Sequence, residues 1–185
     1  MLKRVVKLKE RELDYNKEKL EYLVGKIGTE MGMKNDELET LKFSAWVLNI
    51  GELGLPEKIL TKPGALNEDE WESIKNHPVT GGWLLSIIPQ FQQVANIVRH
   101  HHERWDGSGY PDGLRKEEIP LGARILSVGD SILNMLSPRP YREELSLKQT
   151  KSEIRNIACS QIDPEIADIA LSLLESTKVL KNVMK

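Results

Sequence analysis

Apolar side chains recur along this chain at steps of three and four, and alternation with period two is not sustained anywhere. That is the pattern of helices rather than strands. Ile166, Ile169, Ala170, Leu173 and Leu174 follow the i, i+3, i+4, i+7, i+8 stripe of an amphipathic helix. Asp163 and Pro164 before it supply an N-cap acceptor and a first-turn proline. Val128, Ile132 and Leu136 share one face of a helix that Pro138 should end. Leu38, Leu41, Ala45 and Leu48 line another. Asn67 with Glu70, and Ser146 with Gln149, are spaced as capping boxes that open two more. The pattern predicts an all-α fold of six to eight helices and no sheet.

Three stretches depart from this rhythm. Residues 49–66 and 104–122 are rich in glycine and proline, and loops longer than about 12–15 residues in a compact domain are usually functional or disordered. Trp105, Tyr110 and Leu114 argue for order in the second, because disordered segments seldom carry such anchors. Near the N-terminus, Val6, Leu13, Leu20 and Ile27 are spaced by seven within a charged run. This fits either a helix packing on its own domain or a coiled coil entering from upstream.

Charge and cysteine content narrow the function classes. The chain carries 26 basic and 28 acidic residues for a net charge of −2. That balance gives no long-range attraction to nucleic acid or anionic lipid. Cys159 is the lone cysteine, so no internal disulfide can form, and a small buried apolar role is expected for it. No apolar run reaches the roughly 18 residues of a membrane span, and the first residues lack a signal peptide's apolar core. A cytoplasmic protein with no membrane insertion is the expectation.

Candidate chemistry centres on the histidines. All four are His77, His100, His101 and His102. Imidazole suits transition metals, so His77 with two of the cluster would make a three-nitrogen set. Basic side chains at a helix C-terminus are also favoured by the macrodipole, which is the blander reading. Asp130 interrupts the apolar face of Val128 and Ile132, and a carboxylate there needs a cation or hydrogen-bond donors. A metal, or an ion pair with Arg124 or Arg139, would serve. Trp46, Trp71 and Trp83 are expected in or near the core. Arg99, Arg104, Arg115, Arg124, Arg139 and Arg142 could rim a phosphate site or pair with nearby acids.

The run HHERWDGSGYPDGL, followed by EEIPLGARILSVGD and RPYR, resembles the HD-GYP family, bacterial domains of the HD phosphohydrolase superfamily whose working members hydrolyse cyclic di-GMP. The resemblance extends to GELGLPEKILTKPGALNEDEW, to the NHP at Asn76–Pro78 and to SQIDPEI, spanning roughly residues 12–176. It implies residues 1–11 as a helical lead-in, 12–176 as the domain and 177–185 as a C-terminal tail. It also implies an all-α fold around a buried two- or three-metal centre. Position by position, it places metal ligands at His77, His101, His102 and Asp130, and leaves His100 outside the set. Glu12 matches a family glutamate, and Arg139 and Arg142 match phosphate contacts.

The departures bear on function. The HD dipeptide falls on Leu48 and Asn49, a family histidine on Asn16, and a phosphate-contacting lysine on Glu52. In a two-metal hydrolase the ions activate water and clamp the attacking and leaving oxygens. Asn49 offers one neutral oxygen in place of a bridging carboxylate, and Leu48 offers no ligand. A lysine-to-glutamate exchange reverses a unit charge, worth on the order of 3 kcal/mol per pair at about 5 Å and an effective dielectric of 20. The expectation is a degenerate HD-GYP domain with no catalytic set and weak or no binding of cyclic di-GMP. It would hold at most one transition-metal ion (zinc, nickel, iron or manganese) at partial occupancy. Trp105, Tyr110 and Pro111 would face a signalling partner such as a GGDEF-type cyclase domain, with Tyr110, Arg139 and Arg142 toward any ligand. The alternatives are a single-metal phosphohydrolase on the three-histidine site and a sensor that binds cyclic di-GMP without cutting it.

Overall fold

The computed structural model describes residues 14–60, 62, 64–138 and 143–184. Among these, ten α-helices follow one another: α1 (Asp14–Glu30), α2 (Asn35–Val47), α3 (Glu57–Leu60), α4 (Glu68–Lys75), α5 (His77–Ser86), α6 (Gln92–His100), α7 (Leu121–Met135), α8 (Leu147–Ile157), α9 (Pro164–Leu173) and α10 (Thr177–Met184). Short 3₁₀ turns at Ile50–Gly54, Pro89–Phe91 and Lys116–Glu118 lie between them. No strand occurs among the described residues; the one bridge, Ala158 to Ile162, is isolated. The all-α expectation holds. The helix count exceeds six to eight because α3 and α10 are too short for a full apolar stripe to announce them.

The capping signals close as expected. Asn67 accepts from the Glu70 amide at 2.8 Å, and Ser146 from the Gln149 amide at 3.3 Å. Asp163 caps α9 through the Glu165 amide and also receives Arg124 Nη1 at 2.6 Å. This pair is nearly buried on both sides. Removing one partner of a buried pair costs about 3–5 kcal/mol, because the other charge is stranded.

Two apolar clusters form the interior. The larger joins Leu20, Leu23, Val24 and Ile27 of α1 to Leu41, Ala45 and Leu48 and to the inner faces of α7, α9 and α10. Leu20 and Ile27 are therefore spent on this domain's own core, which is the packing-helix reading of the heptad spacing; Val6 and Leu13 lie outside the described residues. Val179 and Val183 of α10 are buried, so residues 177–184 of the stretch read as a tail pack as a core helix. The smaller cluster gathers Trp46, Val47, Ile50, Leu85, Val94, Ala95 and Val98, with Phe43 stacked on Phe91. Helix α6 belongs to both, Ile97 facing one and Val94 and Val98 the other. Its C-terminus delivers the histidine run to the seam between them.

Several side chains sit elsewhere than expected. Trp46 is buried, but Trp71 and Trp83 are 47% and 63% exposed. Helix α5 is apolar around most of its girth and turns His77, Gly81, Gly82 and Leu85 inward, which leaves Trp83 outside. Helix α4 buries no residue, so Trp71 has no core to enter. Cys159 is exposed rather than buried. It occupies a left-handed turn position, φ 67°, where the chain reverses between α8 and α9.

Candidate metal centre

His77 opens α5, His101 caps the end of α6, and His102 follows it. Consecutive helical residues point about 100° apart. Here α6 ends at His100, so His101 and His102 leave the helix and their rings close to 4.0 Å between centroids. His77 lies 5.4 Å from His101 and 5.1 Å from His102. One ligand nitrogen from each ring can be chosen so that all lie within 4.8 Å of one another. Among the described residues, no other histidine, cysteine or carboxylate group of three converges in this way.

Close backbone approach brings His77 into place. The 3₁₀ turn carrying Gly51 lies against the first turn of α5, and a Cβ on Gly51 would stand 1.9 Å from the His77 carbonyl oxygen. Only glycine permits that contact.

The ring protonation follows from the hydrogen bonds. His77 Nδ1 donates to the Ile74 carbonyl at 2.7 Å, and His101 Nδ1 to the Val98 carbonyl at 2.6 Å. Each Nε2 is then a bare lone pair, and both are buried without a partner. An unpaired buried acceptor is costly unless something occupies it. An Nδ1–H held by a carbonyl with Nε2 free is the usual arrangement of a metal-ligating histidine. Burial lowers the pKa of His77 and, with neighbouring His102 and His77, drives that of His101 well down. Burial and then His77 push His102 to about 3. All three rings are neutral near pH 7, the state in which imidazole binds a cation. The residues fit a metal ion.

His100 is turned away. Its Nδ1 donates to the Asn96 carbonyl and its Nε2 meets Asp112 at 2.9 Å, so it ties α6 to the following loop. Asp130 does not join the trio. It accepts from Asn134 at 2.8 Å and lines the cavities on either side of His102. Arg124, offered as its ion-pair partner, serves Asp163 instead. The first cavity, about 310 Å³, is bounded by His101, His102, Arg104, Ser127, Asp130 and Gln161. The second, about 300 Å³, is lined by His77, His102 and Tyr110 together with Lys17, Leu48, Asn49 and Glu52. The side chain of Asn16, together with Glu12, Arg139 and Arg142, lies outside the described residues.

The loop after α6 is ordered by its own polar contacts. Arg99 grips Asp112 through two bonds of 2.8 and 2.7 Å, and holds its carboxyl down at about 2. Arg104 binds Asp106, Ser108 and Gln161. These arginines pair with acids and so do not stand as a bare phosphate rim. Trp105 is half-buried with Arg124 over its ring at 5.8 Å, and Tyr110 stacks on His102 at 5.0 Å. Both aromatics are engaged inside the domain rather than held out as free anchors.

Sequence reading missed Glu103. It is 3% exposed, and its Oε1 accepts from the Asp112 and Gly113 amides at 2.7 and 3.1 Å. An acid directly before a glycine-rich turn was the available signal. Lys17, buried and donating to the Trp46 carbonyl at 3.1 Å, was equally unforeseen on a charged helix.

The HD domain family model matches residues 1–166. A cyclic di-GMP phosphodiesterase of Thermotoga maritima is 38% identical over 167 residues, which span 89% of this chain and 45% of that protein. The cyclic di-GMP phosphodiesterase response regulator RpfG of Xanthomonas campestris pv. campestris is 38% identical over 83% of this chain and 41% of its own. The chain thus spans less than half the length of these relatives. In fold it is similar to an HDG"Y"P protein from Bdellovibrio bacteriovorus, with TM-score 0.71 at 16% identity over 87% of this chain and 52% of that one. A cyclic GMP-AMP-specific phosphodiesterase of Vibrio cholerae gives TM-score 0.66 at 17% identity over 93% of this chain and 48% of its own. Matching motifs, helical architecture and a converging histidine trio agree, and the chain belongs to the HD domain family, in its HD-GYP branch.

Proposed function

We propose that this chain is an HD-GYP domain that has lost hydrolysis of cyclic di-GMP and works as a signalling module, with one transition-metal position at His77, His101 and His102. The observation that carries this reading is what else lines the cavity that His77 and His102 face. Leu48 stands there, 4% exposed and part of the larger apolar cluster, with Asn49 and Glu52 beside it. A second ion would need a bridging carboxylate and a terminal imidazole where these residues stand. An ion on the trio, when bound, would supply Lewis acidity toward a phosphoryl oxygen. The remaining roles fall to the chain: His77 and His101 present oriented lone pairs, Asp130 adds a carboxylate to the rim, and Leu48 excludes water. Glu52 stands where the family resemblance places a phosphate-contacting lysine, in a cavity that Lys17 also lines.

The loop after α6 is the face proposed for a protein partner, a GGDEF-type cyclase domain being one of matching signalling role. Its outer edge is charged, with Arg115, Lys116, Glu117 and Glu118 all exposed. Charged rims of this kind set the rate and selectivity of encounter more than its strength.

The deciding experiment is a hydrolysis assay on the full chain with manganese, iron or nickel supplied. No turnover of cyclic di-GMP above background is expected. Clear activity that disappears on His101→Ala would overturn the reading and favour a single-metal phosphohydrolase. That second reading has one observation in its favour: His77 and His102 of the trio line a cavity of about 300 Å³, which would leave a bound ion an open position, as catalytic zinc sites do. Calorimetry with cyclic di-GMP separates the silent module from a sensor that binds without cutting.

A further inference from the structure

Two of the three imidazoles have their orientation set by the backbone, and the third does not. His77 and His101 each donate Nδ1–H to a carbonyl three residues earlier. The His102 ring has ring contacts instead, to His101 at 4.0 Å, to His77 at 5.1 Å and to Tyr110 at 5.0 Å. Tyr110 lies nearly parallel to it, 28° between planes, and forms its outer wall.

Tyr110 is in turn fixed by the residue that follows His102. Glu103 folds its carboxylate under the loop and takes the Asp112 and Gly113 amides on one oxygen, while the Tyr110 amide donates to the His102 carbonyl at 3.3 Å. The loop returns so closely that a Cβ on Gly109 would lie 2.3 Å from the Arg104 amide nitrogen. The other oxygen of Glu103 is buried without a partner, so the residue is spent on this clamp at a cost the loop geometry must offset.

We propose that Tyr110 and Glu103 are positioning residues for the third ligand, so that metal affinity at the trio and closure of the loop are one coupled equilibrium. This rests on the trio being a metal site. Partners that orient a metal-binding histidine typically change affinity by about 10–100-fold when removed. Coupling is reciprocal, so an ion that binds better to the closed loop must also hold the loop closed.

Zinc titration of the metal-free full chain against a chromophoric chelator, with folding checked by circular dichroism, tests the proposal. Tyr110→Ala should weaken zinc by about tenfold or more, whereas Tyr110→Phe, which keeps the ring, should bind as the parent does. Glu103→Ala should weaken it similarly and Glu103→Gln, which keeps one acceptor oxygen, should recover most of the loss. If Glu103→Ala fails to fold, the tyrosine pair decides. In the parent chain, zinc should also slow amide hydrogen exchange at Asp112 and Gly113. A parent that binds zinc while Tyr110→Ala binds it equally well, or exchange at those amides that ignores zinc, overturns the coupling and leaves the metal site standing. A parent that takes up no zinc overturns both.

Discussion

Part of the central cavity's wall is built by α5 and the loop after α6, part by α2 and the turn that follows it, and the two bring different chemistry to the same space. The first brings three neutral imidazoles together, two with lone pairs aimed inward and no partner. The second presents Leu48, Asn49 and Glu52. Both walls are equally well built. Leu48 is as firmly embedded in the larger cluster as His101 is in the seam. The difference is not one of folding quality but of what each wall can offer a cation or a phosphate. On the reading proposed above, a scaffold keeps its architecture while half of a two-ion centre is replaced by packing, because helix packing asks only for volume and apolarity at position 48.

The contrast can be broken most directly by removing one residue from each wall. His101→Ala should take zinc content from the parent's value, at most about one equivalent, to none, since two ligands seldom retain the ion. Asn49→Ala should leave zinc content unchanged by elemental analysis. Equal losses would mean that the α2 wall still ligates and that the two walls have not parted ways.

Acid should act on the histidine trio. The unfolded chain takes up protons on these rings below pH 6.5, while in the folded chain burial holds all three lower, His102 at about 3. Between those limits the unfolded state binds more protons, so stability of the metal-free protein falls as pH drops from 6.5 toward 3. Urea denaturation across that range reads the slope. His102→Phe should flatten it, and an unchanged slope would show that other groups govern acid unfolding.

The smallest effect belongs to Glu52. Glu52→Lys should tighten binding of inorganic pyrophosphate by about tenfold or less at low ionic strength, and added salt should erase most of the gain. Isothermal titration at two salt concentrations measures it. No gain at low salt would mean that position 52 does not face the anion.

Most of the fold was legible in the chain because helix stripes and caps are local. Asn67, Ser146 and Asp163 each found the acceptor role their spacing announced. The trio was legible only through motif resemblance, since periodicity alone places His101 and His102 on different faces until the helix is known to end at His100. What could not be read was long-range. The spacing of Asp163 from Arg124 carries no local signal, nor does the outward turn of Trp83, which depends on how α5 lies on α6. Glu103 was overlooked for a related reason: its partners are amides nine and ten residues away, across a loop whose return path the sequence does not specify.

The burial of Leu48 has a consequence for any change at that position. With 4% exposure it contributes the roughly 1.5–3 kcal/mol of a fully buried leucine, and an imidazole in its place would forfeit that while gaining a ligand role only once Asn49 had also changed. A single exchange toward a second ion is therefore disfavoured in isolation, and an advantage would arise only from changes made together. On the reading proposed above, the core holds position 48 as it is, and a second ion becomes possible only when positions 48 and 49 change together.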